Sequence, residues 1–167
     1  MATPRKLVVM GVAGCGKSTL AGALAEALGA ALIEGDDHHL PASRDKMRRG
    51  IALDDADREP WLDALGALLG GARGDAVLAC SALKRRYRDR LRARVPGLRF
   101  VHIEIEPGLA EQRVATRAGH FFPASVVASQ FDALESPAGE AGVVVVDASL
   151  PPDAQRDAVL CWLAAGA

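Results

Sequence analysis

Residues 11–19, "GVAGCGKST", decide the fold of this chain, because they join a predicted strand to a predicted helix. The stretch fits G-x-x-x-x-G-K-[ST], with Gly11, Gly16, Lys17 and Ser18 at the fixed positions. Glycines let backbone N–H groups turn toward phosphate oxygens, and the positive end of the following helix adds to the attraction. The stretch therefore predicts a loop that binds the phosphates of a nucleoside triphosphate.

Each part of this phosphate loop has a predicted task. Lys17 is expected to reach the β- and γ-phosphates, and the Ser18 hydroxyl to bind Mg²⁺. Cys15 is interpreted as a small spacer, although a thiol beside Lys17 and a helix N-terminus can be sensitive to oxidation. Nucleotide contacts are predicted along the whole stretch, from Gly11, Val12, Ala13, Gly14, Cys15, Gly16, Lys17, Ser18 and Thr19.

Five short apolar runs alternate with helix-like segments along the chain. The runs lie at residues 7–10, 31–34, 76–80, 99–105 and 142–146. This alternation predicts an α/β fold of three layers, in which helices cover both faces of a five-stranded, mostly parallel sheet. Four consecutive valines in the last run indicate a strand that is buried on both faces.

The segments between the runs show the helical spacing of apolar residues. A first helix is predicted over residues 17–28 and ends at Gly29, a typical helix C-terminus. Another is predicted to begin near Pro60, with Trp61 in the core rather than stacked on a substrate. No repeat or linker divides the chain, so we predict a single domain. Further helices are predicted over residues 109–117, 126–134 and 154–163.

Composition limits the class of protein. A length of 167 residues suffices for one domain, and the formal net charge of −1 gives no sign of a nucleic-acid or anionic-membrane partner. Three widely spaced cysteines form no disulfide framework. No stretch reaches the roughly 20 apolar residues of a membrane span, and the N-terminus lacks the apolar core of a signal peptide. We therefore predict a cytoplasmic protein without a nucleic-acid or membrane partner.

Titratable side chains crowd the segment after the second run, residues 35–47, "GDDHHLPASRDKM". Ligands of open parallel sheets bind beyond the carboxyl ends of the strands, so Asp36 is expected to face the phosphate loop. A carboxylate there can accept the proton of an attacking hydroxyl or hold the water shell of Mg²⁺. No acidic residue ends the third strand, which favours Asp36 for both tasks. His39 is predicted to hydrogen bond a polyhydroxylated substrate, and His38 to be an exposed loop residue.

Several segments together resemble the gluconate kinase family of small P-loop kinases, of the thermoresistant gluconokinase type. They run in order from residue 11 to residue 147 and span nearly the whole chain. Besides the phosphate loop, they are G-D-x-x-H at residues 35–39, K-M-x-x-G at 46–50, L-x-D-x-D-R-x-P-W-L at 53–62, "CSALKRRYRDRLR" at 80–92, "RAGHFF" at 117–122 and "SQFDALESP" at 129–137.

The resemblance implies ATP-dependent phosphorylation of D-gluconate at its 6-hydroxyl, with Mg²⁺ as cofactor. It implies a role in gluconate catabolism that feeds the pentose phosphate or Entner–Doudoroff pathway, and a homodimer. It also implies a P-loop kinase fold with a substrate region at about residues 35–62 and a mobile lid at about residues 113–125.

The resemblance further implies roles for individual residues. Lys17, Asp36 and Arg117 are expected to be catalytic, and Arg113 and Arg117 to bind ATP from the lid. Ser18 and Asp36, the latter through water, are expected to hold Mg²⁺. Apart from Arg88, the arginines of residues 85–94 are expected to form a solvated helix surface, as runs of charged residues usually do. Substrate contacts are implied for Asp36, His39, Lys46, Met47, Arg58, Lys84, Arg88 and His120.

Two alternatives stay open. The first is a kinase like shikimate kinase, or one that acts on another small sugar acid. Shikimate kinases also have Gly-Asp after the second strand, but a Gly-Gly-Gly turn follows their third strand, where this chain has "CSALK". A nucleotide-binding sensor without turnover is the other alternative. Such proteins often lose the loop lysine or the lid arginines, whereas this chain keeps Lys17, Arg113 and Arg117.

Overall fold

Strands and helices alternate along the chain as the apolar runs predict. All strand pairings are parallel, in the order β2-β3-β1-β4-β5. The five predicted strands are confirmed, each end to within one residue. The strands are β1 (Lys6–Met10), β2 (Ala31–Glu34), β3 (Ala76–Ala79), β4 (Arg99–Glu104) and β5 (Val143–Asp147).

The computed structural model describes residues 2–117 and 124–166, and seven α-helices lie within them. A short 3-10 helix, Gly35–His38, follows β2. None of the helices in these two ranges is long and apolar enough to cross a membrane. The helices are α1 (Lys17–Leu28), α2 (Pro41–Arg48), α3 (Asp55–Gly71), α4 (Arg85–Arg94), α5 (Pro107–Thr116), α6 (Ala124–Ala133) and α7 (Pro152–Ala164).

The sheet has a separate hydrophobic core on each face. Side chains alternate across a strand, so Leu7 and Val9 of β1 pack in one core and Val8 and Met10 in the other. The first core is built with α1, α5 and α7, and the second with α3 and α4. The predicted three-layer arrangement is therefore confirmed.

The last strand is less buried than its four valines indicate. Within the described residues β5 is an edge strand that pairs with β4 alone, and Val145 is 38% exposed. The prediction of a strand buried on both faces is wrong, because an apolar β-branched run satisfies strand propensity at a sheet edge as well as in its middle.

Helix α3 begins five residues before the predicted position. Asp54 is its N-cap and forms a capping box with Asp57: the Asp57 N–H donates to Asp54 Oδ1 over 2.8 Å, and the Asp54 N–H to Asp57 Oδ2 over 3.0 Å. Pro60 lies inside the helix rather than at its start. The prediction favoured the proline at the first turn and overlooked an acidic residue that caps the helix equally well.

Helices α3 and α4 are joined by matched charges, which we call the α3–α4 ladder. Acids on α3 and arginines on α4 both recur every four residues, so each set forms one stripe. The hydrogen bond from Arg90 lowers the pKa of Asp63 to about 2. The predicted solvated arginine surface is thus largely paired with acids. The ladder consists of Asp55, Glu59 and Asp63 on α3 and of Arg86, Arg90 and Arg94 on α4.

Candidate active site

The phosphate loop turns sharply between β1 and α1. Gly11, Gly14 and Gly16 have φ angles of 149°, 82° and 100°, in the left-handed region that favours glycine. A Cβ on Gly11 would lie 2.7 Å from Cys15 Sγ, and one on Gly14 would lie 2.8 Å from the carbonyl oxygen of Ala110. The first two glycines are therefore required by close packing as well as by backbone conformation.

A cavity of about 560 Å³ opens beside this loop. The loop contributes Ala13, Gly14, Gly16, Lys17, Ser18 and Thr19 to its wall, whereas Gly11, Val12 and Cys15 are buried beneath. Six other predicted residues also line the cavity, namely Asp36, His39, Met47, Arg58, Arg113 and Arg117. The structure therefore brings together residues from three distant parts of the sequence.

The first two side chains of α1, Lys17 and Ser18, already have hydrogen-bond partners. Lys17 Nζ donates to the Val12 carbonyl oxygen over 3.1 Å. The Ser18 hydroxyl donates to Glu34 Oε2 over 2.9 Å. Glu34 is absent from the predicted site, although its place at the end of β2, two residues before Asp36, is the signal that points to it.

Asp36 lies on the 3-10 helix, whose backbone is held from two sides. Arg44 donates to the carbonyl oxygens of Asp36 and Asp37 over 3.1 and 2.9 Å. Trp61 Nε1 donates to the Gly35 carbonyl oxygen over 2.7 Å, and the indole is only 2% exposed. The predicted core position of Trp61 is confirmed, and the ring also fixes the turn that carries Asp36.

Arg58 is a buried cation that faces the cavity. It is 8% exposed, and its guanidinium carbon lies 5.7 Å from the centroid of the Tyr87 ring. Among residues 2–117 and 124–166, no side chain or carbonyl group forms a hydrogen bond or ion pair with this guanidinium. Buried charges are normally paired, so the position favours an anionic ligand.

The two lysines for which substrate contacts are predicted, Lys46 and Lys84, lie outside the main cavity. Lys46 Nζ contacts both carboxylate oxygens of Asp57, at 2.8 and 3.0 Å, and joins α2 to α3. Lys84 Nζ donates to Asp55 over 3.1 Å and lines a second cavity of about 210 Å³, whose wall also includes Arg58. Lys84 is therefore next to the site, whereas Lys46 acts in this structure as a link between helices.

Arg88 does not face either cavity, which corrects its predicted substrate contact. Its side chain is fully buried and forms an ion pair of 2.6 Å with Glu140. It also donates to the carbonyl oxygens of Ala82, Leu83 and Glu135. Burial raises the pKa of the Glu140 carboxyl, but the hydrogen bonds from Arg88 and Arg92 outweigh that effect and hold the pKa below its ordinary value. Arg88 thus fastens the segment after α6 to α4.

Arg88→Met should lower the free energy of unfolding by about 3–5 kcal/mol, because it leaves the buried carboxylate of Glu140 without its main partner. Urea unfolding followed by circular dichroism measures this loss. Arg85→Met is the control, since Arg85 lies on the exposed side of the same helix, and its effect should be close to zero. Equal stability of the two variants would contradict the structural role of Arg88.

Two helices contact the phosphate loop from the side of the predicted lid. Arg113 of α5 donates to the carbonyl oxygens of Gly14, at 3.4 Å, and of Ala148, at 2.9 Å. Gln130 of α6 is 6% exposed and accepts a hydrogen bond of 2.7 Å from the Ala13 N–H. The predicted contact at His120 lies outside the described residues, as does the middle of the predicted lid, 118–123.

Cys15 is not placed for redox chemistry. Its side chain is 1% exposed, and burial raises the pKa of the thiol even though Lys17 is near. Because the thiolate is the form that reacts with oxidants, the position favours the interpretation of Cys15 as a small spacer.

Comparison with known proteins identifies the family. A family model described as an AAA domain matches residues 7–137. A gluconokinase of Gluconobacter oxydans (strain 621H) is 47% identical over 154 residues, which cover 90% of this chain and 86% of that protein. The chain belongs to the gluconokinase family.

Other gluconokinases agree in sequence and in fold. The thermoresistant gluconokinase of Escherichia coli (strain K12) is 42% identical over 148 residues, which cover 86% of this chain and 85% of that protein. The crystal structure of a gluconokinase from Sinorhizobium meliloti 1021 matches with a TM-score of 0.89 and 44% identity, over 98% of this chain and 94% of that one. The resemblance given by the motifs is thus confirmed.

One gluconokinase motif has a structural explanation here. In "SQFDALESP", the Glu135 carboxylate accepts a hydrogen bond of 2.8 Å from the Arg85 N–H at the start of α4. The Glu135 N–H donates to the Leu83 carbonyl oxygen over 2.8 Å. Gln130 of the same motif accepts a hydrogen bond from the Ala13 N–H, so the motif ties α6 and the segment after it to the phosphate loop and to the start of α4.

Proposed function

We propose that the protein transfers the γ-phosphoryl group of ATP to the 6-hydroxyl of D-gluconate and releases 6-phospho-D-gluconate and ADP. Membership of the gluconokinase family supports this reaction. The choice of an acidic acceptor rests on one observation, namely that the buried guanidinium of Arg58 faces the cavity. The carboxylate of gluconate supplies the charge that such a cation needs, and the planar guanidinium suits bidentate binding.

The phosphate loop and the arginines of α5 bind ATP in this proposal. Lys17 exchanges its contact with the Val12 carbonyl oxygen for the β- and γ-phosphates. Arg117, at the end of α5, lines the cavity and stabilises the charge that develops on the transferred group. Arg113 bridges the loop to Ala148 and orients this part of the cavity wall.

Asp36 is the proposed base. The oxygen of the 6-hydroxyl attacks the γ-phosphorus while its proton passes to the Asp36 carboxylate, and the bond to the β–γ bridging oxygen breaks. ADP is the leaving group. The 3-10 helix beyond β2 supports this role because it brings Asp36 to the cavity that Lys17 and Arg58 also line.

Mg²⁺ would be held by the Ser18 hydroxyl and by carboxylates near it. When bound, the ion neutralises charge on the β- and γ-phosphates. The donor set fits, because Mg²⁺ prefers oxygen ligands and retains several waters. Glu34 Oε2 lies 2.9 Å from Ser18 Oγ, so Glu34 is placed to accept hydrogen bonds from water bound to the metal. This assignment leaves Asp36 for the substrate.

Glu34→Gln should raise the Mg²⁺ concentration that half-saturates the protein by roughly tenfold, the scale of loss of a partner beyond the direct ligands. The measurement is the binding of a fluorescent ATP analogue at increasing Mg²⁺, which needs no turnover. Glu26→Gln, on the exposed side of α1, is the control and should behave as the wild type. An unchanged Mg²⁺ requirement in Glu34→Gln would return the metal role to Asp36.

The test of the function is ADP release from MgATP with gluconate, shikimate, other sugar acids or no acceptor. ADP that depends on gluconate, with 6-phosphogluconate identified as product, is the expected result. Turnover with shikimate or another acid alone would overturn the choice of substrate. ADP release without acceptor would indicate an ATPase, and ATP binding without turnover a sensor.

We make two further proposals. The protein is cytoplasmic, as its sequence composition predicts, and it forms a homodimer, as the family resemblance implies. Sedimentation analysis of the purified protein tests the second proposal, and a mass of one chain at micromolar concentration would contradict it.

A further inference from the structure

The imidazole of His39 lies between an aromatic ring and the proposed base. It stacks on Trp61 with ring centroids 4.1 Å apart and an interplanar angle of 17°. Its Nε2 lies 3.5 Å from Asp36 Oδ1, the outer limit of a polar contact. Catalytic hydrogen bonds are often this long before substrate binds and shorten in the complex. The arrangement places a ring nitrogen against the carboxylate that is proposed to accept the substrate proton.

The environment of the other ring nitrogen indicates where the proton lies. His39 Nδ1 is buried and has no hydrogen-bond partner among residues 2–117 and 124–166. A buried N–H without an acceptor is costly, so the neutral ring is expected to carry its hydrogen on Nε2. The ring hydrogen is then on the nitrogen that lies 3.5 Å from Asp36 Oδ1, and Nδ1 keeps only a lone pair.

The burial of His39 argues against a direct role in substrate binding. The His39 side chain is 4% exposed, whereas the side chain of Asp36 is 58% exposed. One nitrogen is enclosed and the other faces Asp36, so the imidazole offers no third polar atom to a sugar hydroxyl. The predicted hydrogen bond from His39 to the substrate stays a prediction, whereas the polar contact that the structure shows is the one with Asp36.

We propose that His39 is a positioning residue for Asp36, which rests on the proposed function of the site. Its Nε2–H holds Oδ1 of the carboxylate and thereby directs Oδ2 toward the acceptor hydroxyl. A base must be held in a narrow range of geometry to act, and a donor on one carboxylate oxygen narrows the orientation of the other. Trp61 supports the arrangement because its indole, bonded to the Gly35 carbonyl oxygen, fixes the plane of the imidazole.

Two substitutions of His39 separate the effect of its N–H donor from the effect of its aromatic ring. His39→Phe keeps an aromatic ring against Trp61 but has no N–H, and it should lower kcat roughly 10- to 100-fold, the worth of a hydrogen bond to a charged group. His39→Gln places an amide N–H near the Nε2 position and should recover most of the rate. KM for gluconate should change by less than about twofold in both variants. His38→Gln is the matched control, because His38 is exposed and adjacent.

A double-mutant cycle shows whether His39 acts through Asp36. In an Asp36→Asn background, His39→Phe should add less than about a twofold loss, because two residues that act as one unit are not additive. Transfer from radiolabelled ATP detects the slow rates of that background. Thermal unfolding checks that each variant is folded, and His39→Asn replaces His39→Phe if the latter does not fold.

Each outcome decides between roles. A raised KM with unchanged kcat in His39→Phe would make His39 a substrate ligand and overturn the proposal. A full loss in the Asp36→Asn background, or an equal loss in His38→Gln, would also overturn it. If the wild type does not use gluconate, the proposed function fails, and the same cycle is measured with the acid that supports turnover.

Discussion

Asp36→Asn should lower kcat for gluconate phosphorylation about 10²- to 10⁴-fold, the range attributed to a positioned general base. The amide keeps the size and shape of the side chain but cannot take up the proton of the 6-hydroxyl. The affinity for ATP should change little, because the phosphate loop is expected to bind the nucleotide through Lys17 and backbone N–H groups rather than through Asp36.

Steady-state kinetics and the binding of a fluorescent ATP analogue measure the two effects separately. Asp37→Asn is the matched control, since Asp37 is the exposed neighbour of Asp36 and does not line the cavity. It should retain the wild-type kcat. Near-normal turnover in Asp36→Asn would contradict the assignment of the base, and lost ATP binding would show that Asp36 serves the nucleotide instead.

Arg58→Met should raise KM for gluconate by roughly 30- to 1000-fold, the scale expected when one partner of a buried charge pair is removed. The same substitution should not destabilise the unliganded protein. It removes a buried charge that has no ion pair among the described residues, and so relieves its desolvation. Its effect on stability therefore has the opposite sign to that of Arg88→Met.

Initial rates at varied gluconate and urea unfolding without ligand test both parts of this prediction. Arg58→Lys keeps the charge but loses bidentate geometry, so its KM should lie between the wild type and Arg58→Met. Arg48→Met, on the exposed end of α2, is the control. A KM that Arg58→Met leaves unchanged would remove the main argument for an acidic acceptor.

Much of the fold could be predicted from local patterns. Residues 31–34 form β2 as expected, because a short apolar run bounded by glycines has few alternatives to a strand. Helix α1 ends at Gly29, which adopts the left-handed conformation that stops a helix. The start of α3 and the exposure of β5 were mispredicted, since a cap and a sheet edge depend on neighbours that local spacing does not describe.

The candidate site was predicted less evenly. The phosphate loop follows from its motif. Arg58 and Arg88, however, were both predicted to bind the substrate, and only the tertiary structure shows that one faces the cavity and the other does not. The partner of Arg88 is Glu140, 52 positions along the chain, and that pairing depends on the path of the segment after α6. The contact between Ser18 and Glu34 likewise joins residues 16 positions apart. Spacing shows which groups are available, whereas tertiary packing decides which of them remain free to bind a ligand.

The α3–α4 ladder has an ambiguity that a repeating pattern always carries. Both stripes repeat every four residues, so sliding α4 by one turn, about 5.4 Å, would still bring arginines opposite acids. Other contacts must therefore fix the register of the two helices. Gly66 supplies one marker, because a Cβ there would lie 2.8 Å from Arg94 Cδ, and Tyr87 supplies another through its hydroxyl on Asp55. These two uncharged positions, rather than the ion pairs, distinguish the native alignment from its slipped copies, and with it the depth at which α3 presents Arg58 to the cavity.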